Sequence, residues 1–277
     1  PRVALVQFAS LNPWESGAAT SSTANNDNDN DEGGQDSVHA PSSFNLQRAH
    51  DFVRQAAKQG AELVVFPEYF ASPTFIDPFC TQRLTRNAVT AKWVVSEPEH
   101  WHLAQYPHSH AHLHRAADSN TATAEHWLST FQALAKEVKV DIVVGTIVER
   151  AVDQDGKPLE REIEIENDET GEKRTETRPV LENVSTYIDW NGEIVGRYKK
   201  RNLWWPEKDY LCAGDEEHQV FDTRFGKVGI LVCQSSSFLA LHSFFAMLTP
   251  LVNGWDLAWP RAFEPLLLRG AEMIIAP

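Results

Sequence analysis

Apolar and polar positions follow two different rhythms along this chain. Arg2–Phe8 (RVALVQF), Ala61–Phe66 (AELVVF) and Val140–Arg150 (VDIVVGTIVER) are short apolar runs rich in β-branched residues. Such runs predict strands buried on both faces. Between them the spacing changes. Leu46, Ala49, Val53, Ala56 and Ala57 lie on one face of a helix, which Gly60 is placed to stop. Trp127, Phe131, Leu134 and Ala135 give a second amphipathic helix over Ala122–Val138. The segment Asn183–Lys200 (NVSTYIDWNGEIVGRYKK) alternates on either side of Asn191-Gly192, the pattern of a β-hairpin. Further strands are predicted at Gln219–Phe221, at Lys227–Val232 and within the closing GAEMIIAP. Strands and helices alternate early and hairpins come late, which predicts a mixed-sheet α/β protein. We find no internal repeat and no domain boundary.

Two polar stretches interrupt this pattern. Residues 12–43 are acidic and of low complexity, too poor in apolar side chains to repay the entropy of ordering, so a disordered loop is expected. Residues 153–182 are highly charged and predict a solvated hairpin or loop. The region 71–120 has no clear period and holds six histidines, His100, His102, His108, His110, His112 and His114.

Charge and cysteine content narrow the function. The net charge of −14 argues against nucleic acid or an anionic membrane surface as partner. The three cysteines, Cys80, Cys212 and Cys233, are odd in number, widely spaced and without a CxxC pair. They form no disulfide framework and fit a reducing, cytoplasmic setting. The first residues lack a signal-peptide build and a starting Met, so a fragment is expected. No apolar run reaches the ~18 residues of a membrane span.

Three candidate residues sit at the exits of strands, where loops carry chemistry. Glu68 follows an apolar strand in VVFPEYF, where partial desolvation raises a carboxyl toward the range of a general base, although this stretch taken alone reads more readily as a surface glutamate at a strand end. Lys200 sits in GRYKKRNLWWPEKDYL among tryptophans, a stretch that taken alone reads more readily as a simple basic turn. On an extended chain it points away from Lys199, and Glu207 could return to the same pocket. Cys233 ends GKVGILVC. Read alone, a buried inert thiol is the usual case, since a nucleophile needs a neighbouring base or a lowered pKa.

Taken together, VVFPEY, GRYKKRNLWWPEKDYL and GKVGILVC resemble the nitrilase, or carbon–nitrogen hydrolase, superfamily. The resemblance implies an α/β fold, a four-layer α-β-β-α sandwich, here as one domain over 1–277 and incomplete at its C-terminus. It also implies a Glu–Lys–Cys triad, which falls on Glu68, Lys200 and Cys233. Tyr198 and Asn202-Leu203 fix the register on Lys200, and Glu207 matches the second active-site glutamate. The implied reaction is hydrolysis of a small linear amide or N-carbamoyl amine through a cysteine thioester, with no cofactor and no metal. Nitriles are the alternative substrate. A homo-oligomer is expected of the full-length family member, whose C-terminal tail pairs subunits.

One departure stands out. The family phrase that follows the nucleophile begins here at Trp255, in WDLAWPRAFEPLLLRGAEMIIAP. Residues Gln234–Gly254 are therefore read as an insertion, of the kind a retained intron would add. Stretches 12–43, 74–92 and 153–182 are read as further insertions. With Gln234–Gly254 in place the chain is expected to be inactive or nearly so, since the turn behind the cysteine sets its geometry. Two rival functions follow: a catalytically dead binding protein, and a metal binder built on the histidine run, whose irregular spacing favours a solvated loop instead.

Overall fold

A computed structural model describes residues 1–6, 36–70, 127–166, 173–203, 207–208, 211–232 and 260–277, with side chains left undescribed at 36–44, 165–166 and 260–262. The strands are β1 (Val3–Leu5), β2 (Leu63–Val65), β3 (Asp141–Arg150), β4 (Glu160–Glu166), β5 (Lys173–Pro179) and β6 (Leu181–Ile188). They continue with β7 (Ile194–Lys199), β8 (Leu211–Cys212), β9 (Val220–Thr223), β10 (Gly226–Ile230) and β11 (Met273–Ile275). The helices are α1 (Asp36–Lys58), α2 (Trp127–Val138) and α3 (Pro260–Leu268).

Six strands form the main sheet in the order β1-β2-β3-β6-β7, with β8 also paired to β6. The order β11-β10-β9 makes a second sheet, and β4-β5 a separate hairpin. The main sheet is mixed: β1, β2 and β3 run parallel, while β6 runs antiparallel to β3 and β7. The period-two rule explains why its central strands read as continuous apolar runs. Val64, Ile142 and Val144 point to one face and pack with Ala49 and Val53 of α1 and Leu128, Phe131, Leu134 and Ala135 of α2. Leu63, Val65 and Val143 point to the other face and pack with Val228 and Ile230 of β10 and Ile275 of β11. Leu266 of α3 closes over Gly229, where an added Cβ would lie 2.7 Å from its side chain.

Arg224 joins the sheets at the other end, through Asp141 and the Glu62 carbonyl. Asp141 is buried, accepts from the Tyr187 hydroxyl at 2.7 Å and from Trp190 N at 3.0 Å, and pairs with Arg224 at 3.0 Å. Arg224 sits in the turn between β9 and β10 and also donates to the Glu62 carbonyl at 2.8 Å. The β6–β7 hairpin turns through Gly192 at φ 84°, as expected from Asn191-Gly192. β4 and β5 pair antiparallel as a solvated two-stranded ladder, with a Lys173–Glu164 ion pair across it.

Three expectations change. α1 begins at Asp36, inside the stretch expected to be disordered, because a helix once nucleated extends at little cost. β1 is not buried on both faces: among the described residues it is the sheet edge, with Val3 46% and Leu5 79% exposed. The third change is an internal repeat. GAELVVFP (60–67) and GAEMIIAP (270–277) each follow a helix that ends in a Schellman cap. Gly60 N–H donates to Ala57 and Ala61 to Ala56; Gly270 donates to Leu267 and Ala271 to Leu266. β2 pairs in parallel with β1, and β11 with β10, in matching register. Glu62 caps the Arg2 amide at 2.9 Å, as Glu272 caps the Lys227 amide at 3.1 Å. The same strand–helix–strand unit therefore occurs once in each sheet.

A bulge in β3 positions the chain leaving β2. Pairing with β6 shifts between Val144 and Ile147, and Gly145 lies so close to the Phe66–Pro67 backbone that a Cβ would fall 1.9 Å from the Pro67 carbonyl oxygen. We expect Gly145→Ala to cost about 1–3 kcal/mol, as overpacking does, and to displace the Pro67–Tyr69 segment. A chemical denaturation midpoint unchanged from wild type would contradict that placement.

Candidate active site

Four elements converge at the bulge. β2 delivers Glu68, the end of β7 delivers Lys200, the start of β6 contributes Asn183, and Glu207 returns from the segment after Lys200. Lys200 Nζ lies 2.9 Å from Glu68 Oε1, 3.0 Å from Glu207 Oε1 and 2.8 Å from Glu207 Oε2. The side chains of Lys200 and Glu207 are each 1% exposed and that of Glu68 is 6% exposed. Lys200 has three N–H donors, and its nitrogen lies within hydrogen-bond distance of three carboxylate oxygens.

The surrounding backbone holds the carboxylates in place. Tyr69 adopts φ 55°, a left-handed conformation that non-glycine residues seldom take. Its amide donates to Thr146 Oγ1 at 2.9 Å, within the β3 bulge, and its hydroxyl donates to Glu207. Tyr69 thus ties the Glu68 segment both to the sheet and to the second glutamate. Asn183 Nδ2 donates to Glu68 Oε1 at 2.8 Å, while its main-chain carbonyl accepts from Lys200 N at 2.9 Å.

The electrostatics follow from this geometry. Burial, reinforced by the nearby charge of Glu207, pushes the Glu68 carboxyl up to about 7, even though Lys200 and the Asn183 amide favour its ionised form. Burial opposes the Lys200 ammonium, but Glu68 and Glu207 outweigh it and hold that group above the ordinary lysine range. The cluster therefore offers a carboxyl that can gain or lose a proton near neutrality beside a fixed positive charge.

Three of the four sequence-derived site residues, Glu68, Lys200 and Glu207, meet in one place. Cys233 lies outside the described residues, as do the histidine run and the segments 74–92 and 234–254. The described chain leads up to Cys233 through Leu231 and Val232, both fully buried, with Leu231 N donating to the Ile275 carbonyl at 3.0 Å. Sequence reasoning missed Asn183, Tyr69 and Thr146. A usable signal existed for Asn183: an amide at the head of an otherwise buried strand must find a partner.

The comparisons with known proteins agree with one another. The family profile described as carbon-nitrogen hydrolase matches residues 34–239. The chain is 24% identical over 233 residues to a nitrilase of Pyrococcus abyssi, covering 84% of this chain and 58% of that protein. It is 28% identical over 99 residues to an N-carbamoylputrescine amidase of Arabidopsis thaliana, covering 34% of this chain and 26% of the relative. A solved carbon-nitrogen hydrolase from Helicobacter pylori G27 shares the fold, with a TM-score of 0.50 and 19% identity over 85% of this chain and 55% of that one. The chain thus spans under two thirds of the length of these relatives.

The raised Glu68 pKa has a consequence for stability. An ordinary glutamate titrates at 4.5, whereas the folded chain holds its Glu68 proton up to about 7. Between those values the folded state binds a proton that the unfolded state has released, so stability falls as pH rises through the window. We expect a loss on the order of 2–3 kcal/mol, which Glu68→Gln, neutral throughout, should remove. Urea midpoints at pH 5 and pH 8 measure it; parallel behaviour of the two proteins would rule it out.

Proposed function

The chain belongs to the carbon-nitrogen hydrolase family, and from that footing we propose that it is built to hydrolyse the C–N bond of a small linear amide or N-carbamoyl amine. The single observation that carries this reading is the buried contact of Lys200 Nζ with Glu68 and Glu207. It supplies a titratable carboxyl beside a fixed cation, as acyl transfer to a thiol requires. We extend the reading to a four-layer α-β-β-α arrangement of helices and sheets and to Cys233 as the nucleophile.

In this mechanism the Glu68 carboxylate takes the proton of the Cys233 thiol, and the thiolate adds to the carbonyl carbon. The carbonyl electrons move to oxygen, and that oxyanion is stabilised by Lys200. Because Lys200 Nζ is engaged by both carboxylates in the resting site, one contact must be freed. Protonated Glu68 is the weaker acceptor, so its bond to Lys200 is the one that yields. Proton transfer to Glu68 and oxyanion stabilisation by Lys200 are in this way a single coupled step. Glu68 then gives its proton to the departing nitrogen as the C–N bond breaks, leaving a thioester. Water, losing a proton to Glu68, adds to that thioester, and collapse releases the carboxylic acid and restores the thiol. Glu207, locked by Tyr69, keeps Lys200 in place throughout.

The substrate reading rests on Trp255-Asp256, which resembles the amidase and N-carbamoyl-amine branches, whereas nitrilases tend to carry Trp-Glu there. The test removes Gln234–Gly254 and follows ammonia release from small amides, N-carbamoyl amines and nitriles. The expected outcome is that the deletion gains at least ~100-fold over the full chain on an amide or N-carbamoyl amine. Its kcat/KM should rise with pH through about 7, as Glu68 ionises. Glu68→Gln and Cys233→Ala should each abolish turnover. Equal activity with and without the segment would refute the insertion. No turnover by the deletion on any substrate, with Cys233 unreactive to a substrate-like electrophile, would refute the hydrolase.

A further inference from the structure

We propose that Asn183 is a positioning residue that follows the proton on Glu68, its amide donating to the Glu68 carboxylate and, turned over about its terminal torsion, accepting from the Glu68 carboxylic acid. Asn183 is fully buried, and its Nδ2 meets Glu68 Oε1 at 2.8 Å. Its Oδ1 is also buried and has no hydrogen-bond partner among the described residues. A buried asparagine pinned at both amide atoms has one orientation, because turning it over breaks both sets of bonds. Among the described residues Asn183 is pinned at one atom only. No described residue holds its far side, so the state of Glu68 decides the orientation.

The other groups facing Glu68 cannot play this part. Lys200 only donates, and Glu207 is engaged by two Lys200 contacts and the Tyr69 hydroxyl. These are the charged groups acting on Glu68 among the described residues. A carboxylate only accepts, whereas a carboxylic acid presents an O–H that needs an acceptor. By turning over, an amide can serve both forms without itself titrating. The Glu68 carboxyl, raised to about 7, is present in both forms at neutral pH. A base that changes protonation repeatedly would thereby keep its position in each state.

The test uses no substrate, so it is separate from the hydrolase reading. NMR of the full chain follows the Glu68 carboxyl carbon, assigned by its loss in Glu68→Gln, alongside the Asn183 side-chain amide protons. Contact between those amide protons and the Glu68 γ-methylene should be present at pH 9 and lost at pH 5, with the midpoint of the Glu68 carbon. A contact that persists across the midpoint would overturn the proposal, as would a Glu68 that does not titrate between those pH values. As a second measurement, Asn183→Leu neither donates nor accepts. It should move the Glu68 midpoint by less than about 1 pH unit, because both states lose a partner. A rise of about 1–2 pH units, the loss expected for a donor fixed to the carboxylate, would also overturn it.

Discussion

Lys200 carries its charge into the core, and the structure around it is arranged so that the charge is tolerated. An isolated ammonium that is 1% exposed would lose its proton or unfold the chain. Here two carboxylates from distant parts of the chain contact it, and each has a donor of its own: Asn183 for Glu68 and Tyr69 for Glu207. Removing either carboxylate would leave an unbalanced buried group. The cluster therefore constrains β2, β6 and β7 at once, since each must end where its side chain reaches the others. It is also a poor way to gain stability, because desolvation offsets most of the attraction between buried ions. A cluster of this kind fits a chemical role better than a structural one.

The fold meets that constraint through backbone detail. Gly145 admits the Phe66–Pro67 backbone against β3, the bulge presents Thr146, and Thr146 takes the amide of Tyr69 in its left-handed conformation. A strained residue next to a titrating carboxyl is held at both ends, by Thr146 and by Glu207. Away from the site, the Arg224–Asp141 ion pair and the apolar layer of Leu63, Val65 and Val143 against β10 and β11 join the two sheets. Glu68, after the second strand of one unit, and Cys233, after the first strand of the other, thus belong to opposite halves of a repeated strand–helix–strand design. The repeat was hard to see because side-chain identity changes between the halves. What stays constant is the Gly-Ala-Glu sequence, whose glycine caps a helix and whose glutamate caps the neighbouring strand.

By itself the sequence determined much of the local structure. Apolar runs of strand length, the helical faces around Ala49 and Phe131, the Asn191-Gly192 turn and the cap at Gly60 all follow from short-range rules, and each is found where those rules put it. Motif order also marked Glu68, Lys200 and Glu207, because a carboxylate or lysine at a strand exit is a local feature. Only the tertiary structure decided which apolar strand lies at an edge, as β1 shows, since exposure depends on neighbours distant along the chain. Only the tertiary structure brought Asn183, Tyr69 and Thr146 to the carboxylates. Their roles rest on hydrogen bonds between residues 77 to 138 positions apart, and no local pattern encodes a partner at that distance.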